Sequence, residues 1–311
     1  MATPRIIQTL SGFAGFGAPT WIASVLADRT PPVPEDLSPE DVAGAGCSYV
    51  DVEGRPVIHR ELCSAVGLPV VFIHGFGESL RLWEPIQEAI AQTHRTVSLD
   101  LWGFGASVRP ADITPRDWVR EVFGLLDALG IERAVFVGHS LGGRVSLMCA
   151  RHAPERVAGL VLCDADWGQA RHGYLLAWAL CRGPWVGLLL GKMRANPRHL
   201  RRLLTVFGTP NFHPDLEALQ RPLRVRGTVR AWCALGSAPP WRDIRRLPES
   251  VHCPALVIHG HDDPIVPRWA GEELAKRLGA EHLDLPDCGH FAPEEYPEQV
   301  CAALKGFVRG L

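Results

Sequence analysis

No two of the nine cysteines in this 311-residue chain form a CxxC pair, and their number is odd. Cys47, Cys63, Cys149, Cys163, Cys181, Cys233, Cys253, Cys288 and Cys301 stand singly, which argues against a disulfide framework or zinc knuckle and for reduced thiols in a cytoplasmic protein. Internal repeats, low-complexity tracts and phosphate-loop signatures are also missing. Charge is absent from Ile6 to Ala27. With Arg5 ahead of it and "VLA" before Asp28, that run imitates an export signal, so residues 1–27 carry an alternative reading as a signal or membrane anchor. Gln8, Thr9, Ser11, Gly12, Gly15, Gly17 and Pro19 dilute the run, and it lacks the leucine-rich centre of a spanning helix. The competing expectation is a helix lying on the domain, tethered by the proline-rich linker from Thr30 to Asp41.

Acidic residues are scarce between 168 and 246, where 14 Lys and Arg face only Asp215, Glu217 and Asp243, an excess of eleven positive charges in a chain of net charge −2. The cations are interleaved with Leu and Trp and carry no nucleic-acid-binding signature, so no nucleic acid partner is expected. Beside the uncharged N-terminus they would suit peripheral contact with an anionic bilayer.

What is present is the material of a soluble globular protein, 47% apolar, 8% aromatic and 21% charged. "CSYVDVEGRPVIHREL" alternates around Glu53 and Gly54, which predicts an antiparallel hairpin. "PVVFIHG", "TVSLD", "AVFVG", "GLVLCD" and "PALVIHG" are short apolar runs, the pattern of strands buried on both faces. Between them lie amphipathic stretches such as Arg116 to Leu129, with Trp118, Val122, Leu125, Leu126 and Leu129 at helical spacing. Strand and helix in that rhythm predict an α/β fold, a mostly parallel twisted sheet with helices on both faces. The rhythm breaks after Trp167, where "YLLAWAL" and "PWVGLLLGKM" read as short helices. The expected layout is an N-terminal extension and linker over 1–42, a core over 43–166 and 247–311, and an inserted helical lid over 167–246.

In "AVFVGHSLGG" a strand runs into a serine fenced by glycines. The G-x-S-x-G spacing suits a strand-to-helix turn so sharp that residues two before and two after the serine touch, which leaves no room for side chains at Gly138 and Gly142. Such a turn lifts the Ser140 hydroxyl above the C-terminal edge of the sheet and sets the Leu141 N–H at a helix N-terminus. In "FIHGFGES" Gly75 and Gly77 keep the backbone bare, so the Phe76 N–H can face the same point, and the two amides would form an oxyanion hole. A serine needs a base and the base an orienting acid. "VIHGHDDPIVP" offers Asp262 and Asp263, and "LDLPDCGHFAPEE" offers His290; serine, acid, histidine is a known chain order for such a triad.

With "HGFG", "DLWGFGAS", "GHSLGG", "GHDDPIVP" and "CGHFAPEEYPE" in this order, the chain resembles the α/β-hydrolase superfamily from the hairpin near residue 48 to its end. The resemblance implies a cofactor-free serine hydrolase with Ser140 as nucleophile, His290 as base and Asp263 as acid, because the family's acid directly precedes the x-x-V-P segment. Pro264 also favours an extended conformation at Asp263. Asp164 and Asp166 follow the strand where some relatives keep their acid and stand in reserve. His74 and His139 are expected to support loops, and Asp100 to pin its turn. "HGHDD" has the look of a metal site, but Gly260 and Pro264 end the strand and no further histidine cluster supplies ligands, so no metal is expected.

The expected substrate is a small carboxylic ester with an apolar part, for which Trp167, Trp178, Trp185, Trp232 and Trp241 would line the pocket. Lactonases, thioesterases, carbon-carbon hydrolases and cofactor-free haloperoxidases share these motifs. Carbon-carbon hydrolases often have Trp after the histidine, where this chain has Phe291. The rival from another class is a binding protein that kept the fold and uses its pocket as a receptor.

Overall fold

The structure, a computed structural model, describes residues 18–63, 67–168, 186–209, 212, 214–237 and 244–311. Residues 1–17, the expected helix "YLLAWAL", and Trp178, Trp185 and Trp241 lie outside the described residues. Eight strands form one sheet: β1 (Cys47–Val52), β2 (Arg55–Leu62), β3 (Gly67–Ile73), β4 (His94–Leu99), β5 (Ala134–His139), β6 (Val157–Cys163), β7 (Ala255–Gly260) and β8 (Glu281–Leu285). Their order is β1-β2-β4-β3-β5-β6-β7-β8. β2 is antiparallel to both β1 and β4, and every other pairing is parallel. In the hairpin, Glu53 and Gly54 both take positive φ, 53° and 78°, and Val52 pairs with Arg55, the two-residue turn whose twist matches its strands.

Every residue of β5 is buried, as its unbroken apolar run requires. Alternate residues supply opposite faces. Ala134 and Phe136 join a cluster with Trp118, Val122, Val145 and Leu274, from the helices Pro115–Ala128, Leu141–His152 and Arg268–Leu278. Val135 and Val137 join another with Ile86, Ile90, Val300 and Leu304, from the helices Glu84–Ile90 and Pro297–Arg309. β5 is therefore clamped between layers, and its C-terminal end, where Ser140 follows, has little freedom.

Between β6 and β7 the chain forms the helices Val186–Ala195, Pro197–Phe207, Leu216–Gln220 and Thr228–Ser237. They build a separate apolar cluster in which Val186, Leu189, Leu190, Met193, Leu200 and Leu223 surround Trp21 and Val25 of the helix Ala18–Ala27. That helix thus packs on the insertion rather than on the sheet. No helix among the described residues is long and apolar enough to cross a membrane.

The linker follows as a strap along the insertion. Val33 donates to the Gly191 carbonyl at 3.0 Å and Leu37 to that of Arg224 at 3.1 Å, and the Arg226 amide returns to Leu37 at 2.9 Å. Glu35 accepts from the Gly227 and Val229 amides at 2.8 and 2.7 Å, capping the start of Thr228–Ser237 with negative charge. Arg224 pairs with Asp36, Arg194 lies 3.5 Å from Glu35, and Arg221 reaches the Asp41 carbonyl. Part of the insertion's positive charge is met by this acidic strap, while Arg198, Arg201 and Arg202 stay exposed.

Trp21 anchors the strap, 6% exposed with its indole N–H donating to the His199 carbonyl at 2.8 Å. Trp21→Ala is expected to cost about 3–5 kcal/mol, the usual range for emptying a buried tryptophan site. A melting curve with limited proteolysis checks this: the variant should melt lower and be cut earlier between residues 18 and 41. An unchanged melt and cleavage pattern would show that the strap carries no stability.

Candidate active site

Ser140 stands at φ 49° and ψ −110°, between the last residue of β5 and the first of the helix Leu141–His152. A non-glycine residue holds such a conformation only where its surroundings enforce it. Here the crossing is so close that a Cβ on Gly138 would strike the Gly142 carbonyl, and one on Gly142 the Ile73 carbonyl. The Ser140 amide is tied to the Cys163 carbonyl at 2.9 Å. Ser140 is left partly exposed, directly after the C-terminal end of β5.

His290 Nε2 lies 2.9 Å from Ser140 Oγ, and its Nδ1 lies 2.7 Å from Asp263 Oδ2. Since the carboxylate can only accept, Nδ1 carries the proton and Nε2 presents its lone pair to the hydroxyl. The other Asp263 oxygen accepts from the Ile265 and Val266 amides at 2.7 and 3.0 Å, which holds the carboxylate in place. Burial opposes charge on His290, but the adjacent Asp263 carboxylate outweighs it and raises the pKa above the ordinary histidine value. Of the two neighbouring acids, Asp262 is exposed while Asp263 is 6% exposed and aimed at His290.

Asp164 does not touch His290. Its oxygens accept from Gly260 at 2.8 Å and Ala292 at 3.0 Å, so it ties together the loops that carry Asp263 and His290. Asp166 pairs with Arg144 on the helix behind Ser140. Among the described residues the Phe76 and Leu141 amides have no backbone acceptor. His74 takes the Leu101 amide on Nε2 at 3.0 Å and donates from Nδ1 to the Gly75 carbonyl at 2.7 Å, bracing the glycine loop as expected. Asp100 accepts from Leu80 and Ala106 at 2.5 and 2.6 Å and so pins its turn.

From "HGHDD", His259 and Asp263 converge with Asp164, near enough to share an ion. Both carboxylates are already bonded to the protein, His259 Nε2 faces the Val266 carbonyl at 2.9 Å, and His261 turns outward to Asp284. The donor set fits a loop-bracing role.

Trp167 requires a correction. It is fully buried, donates to the Ala270 carbonyl at 3.0 Å and lies under Arg277, so it packs in the core of the sheet domain. Trp232 does face the site, its ring centroid 4.7 Å from that of Phe76 and its indole N–H bonded to the Gly103 carbonyl. The insertion also grips the histidine loop, because the His290 amide donates to the Phe207 carbonyl at 2.9 Å and Phe212 stacks on Phe291.

Sequence reasoning missed three supports. Glu295 accepts from Gly289, Phe291 and Thr209 and knits the histidine loop to the insertion. Arg109 gathers the carbonyls of Phe104, Ser107 and Gly105 and reaches Thr228. Glu78 lies beneath the glycine loop and bonds the Gly75 amide at 2.6 Å. Of these only Glu78 left a trace, as an acid directly following the bare glycine loop in "HGFGES".

The model of the Alpha/beta hydrolase family matches residues 70–303. The 2-hydroxymuconate semialdehyde hydrolase of Pseudomonas sp. (strain CF600) is 32% identical over 287 residues, 82% of this chain and 95% of that protein. The dihydrolipoyllysine-residue acetyltransferase component of the acetoin cleaving system of Pseudomonas putida is 33% identical over 278 residues, 87% of this chain and 71% of that protein. Among solved structures, the enol-lactonase from Burkholderia xenovorans LB400 superposes with a TM-score of 0.70 at 24% identity, over 84% of this chain and all of that one, a likeness of fold.

Replacing the buried acid should cost far more than replacing its neighbour. Asp263→Asn is expected to approach a loss of about ten-thousandfold in hydrolytic turnover, through the wrong tautomer of His290, and Asp262→Asn to lose little. The reverse result would move the assignment by one residue. Turnover should also fall on the acid side as His290 takes up a proton, with a midpoint above about 6.5; a profile flat through that range would remove His290 as the base.

Proposed function

Since the chain belongs to the alpha/beta hydrolase family, we propose that it is a serine hydrolase cleaving carboxylic esters with an apolar part through an acyl-enzyme. The observation that carries this reading is the continuous hydrogen-bonded line from Asp263 through His290 to Ser140, 2.7 and 2.9 Å, ending on a hydroxyl held in a strained turn. His290 Nε2 takes the hydroxyl proton as Ser140 Oγ attacks the ester carbonyl. Asp263 stabilises the imidazolium that forms. The Phe76 and Leu141 amides receive the oxyanion, with the positive end of the Leu141–His152 helix behind them. His290 then hands its proton to the departing alkoxide, and a water activated the same way releases the acid.

The inserted helices act in this reading as a lid. Trp232 from the lid and Phe76 from the oxyanion loop form an aromatic wall beside Ser140, suited to an acyl or alkyl chain.

The 32% identity to the 2-hydroxymuconate semialdehyde hydrolase favours a second reading, carbon-carbon bond hydrolysis of a ring-cleavage product. The same serine, base and oxyanion donors serve a ketone carbonyl as well as an ester. Phe291 in place of a tryptophan after His290 speaks for the ester.

A series of nitrophenyl esters from acetate to hexanoate, run beside a vinylogous diketone acid, separates the readings. The ester reading expects kcat/KM to rise with chain length by up to about fourfold per methylene, the factor corresponding to about 0.8 kcal/mol of burial. Faster turnover of the diketone acid than of every ester would establish the carbon-carbon reading. Binding without turnover of either would return the protein to the receptor class.

A further inference from the structure

His139, the residue before the nucleophile, has an acceptor on each ring nitrogen. Nδ1 lies 2.9 Å from Glu78 Oε2, and Nε2 lies 2.7 Å from the backbone carbonyl of His290. That carbonyl cannot donate, so Nε2 carries a proton and donates it. The same Glu78 oxygen accepts the Gly75 amide next to Phe76, at 2.6 Å. Three pieces of the site therefore meet on one pair: the oxyanion loop through Gly75, the serine elbow through His139, and the histidine loop through the His290 carbonyl. His139 is fully buried and Glu78 is 7% exposed, so water does not screen them. The rings of His139 and His290 lie 5.1 Å apart, centroid to centroid.

We infer that Glu78 and His139 form a second acid–imidazole pair, which positions His290 through its backbone carbonyl and, by holding protons on both nitrogens of His139, keeps a positive charge beside the His290 ring that favours its neutral, proton-accepting form. The inference rests on the reading of His290 as the base. Burial works against a charged His139, yet the Glu78 carboxylate overcomes it and pulls the pKa up to about 9. Glu78 is held below the ordinary carboxylate range in spite of its own burial, by the same partner.

The charged and titratable groups around the pair are few. His139 faces Glu78 and His74 from the loop after β3, Asp164 from the end of β6, and His290 and Glu294 from the histidine loop and its following helix. His290 faces Asp263, Asp164 and His139. The two carboxylates raise its affinity for a proton and His139 lowers it. Taking the charge from His139 therefore shifts His290 in one direction, toward protonation. A serine hydrolase gains from the opposite bias, because only neutral His290 can accept the Ser140 proton.

Glu78→Gln tests this with the size and shape of the side chain preserved. One oxygen, Oε2, serves both Gly75 and His139 in the wild type, so the amide must turn slightly to place its oxygen on Gly75 and its nitrogen on Nδ1 of a neutral His139, whose Nε2–H still reaches the His290 carbonyl. Two opposite charges are lost, and of the two it is that of His139 that acts on His290. Nitrogen-15 NMR of the histidine rings, on the intact chain, is the readout. In the wild type His139 should carry protons on both nitrogens at neutral pH, and in the variant on Nε2 alone. The His290 titration midpoint should rise in the variant, by up to about one unit, because the loss of the nearer His139 cation outweighs the loss of the Glu78 anion. The acid limb of fluorophosphonate labelling at Ser140 should rise with it. A purely structural role would lower labelling at every pH and leave both midpoints in place, and that result would overturn the inference. If the variant does not fold, the wild-type spectrum decides alone: an unprotonated Nδ1 on His139 at neutral pH sinks the proposal. Absence of labelling in the wild type would instead remove the hydrolase reading, with the NMR midpoints still testing the pair.

Discussion

The constraint on which the site depends is the crossing of Gly138 over Gly142, where backbone meets backbone and no Cβ fits. It forces Ser140 to φ 49° and so turns a residue at the end of a buried strand into one whose hydroxyl stands clear of the sheet. Such strain persists only when the neighbourhood over-determines it. Here β5 is paired on both sides by β3 and β6, sealed between two apolar layers, and locked at its end by the bond from Ser140 to Cys163. The core thus does more than stabilise the fold, because it holds one serine in a conformation the serine would not choose.

The rest of the site is arranged around that hydroxyl by carboxylates, three of them buried and one, Glu295, partly buried. Asp263 orients His290, Asp164 ties their two loops together, Glu295 ties the histidine loop to the insertion, and Glu78 joins the glycine loop to His139. Each of these acids has hydrogen-bonding partners, which is what makes burying it tolerable. Phe76 and Trp232 pack ring against ring where the glycine loop meets the insertion.

Much of this was legible before the structure. The parallel strands announced themselves as unbroken apolar runs, and the Glu53–Gly54 turn by its chemistry. The elbow and the His290 loop were readable because glycines at close crossings and histidines before helices are local features. The choice of Asp263 over Asp262 needed the family pattern and Pro264, and the burial of one beside the exposure of the other agrees with it. What could not be read was long-range. The segment from Thr30 to Asp41 looked like a tether, yet Glu35 and Asp36 reach residues nearly two hundred positions away. Trp167 looked like a pocket residue because composition cannot tell a tryptophan facing a substrate from one under an arginine. Glu78, Arg109 and Glu295 are ordinary charged residues in the sequence, and only the fold converts them into bracing for backbone amides and carbonyls.

The central claim is that Ser140 itself becomes covalently acylated during turnover. Acid quenching of the enzyme while it hydrolyses a nitrophenyl ester, followed by peptide mapping by mass spectrometry, tests it most directly. The account predicts the acyl group on the peptide containing Ser140, at that residue, appearing before the steady state is reached. Turnover with the acyl group on another residue, or with no covalent adduct at any time, would contradict it.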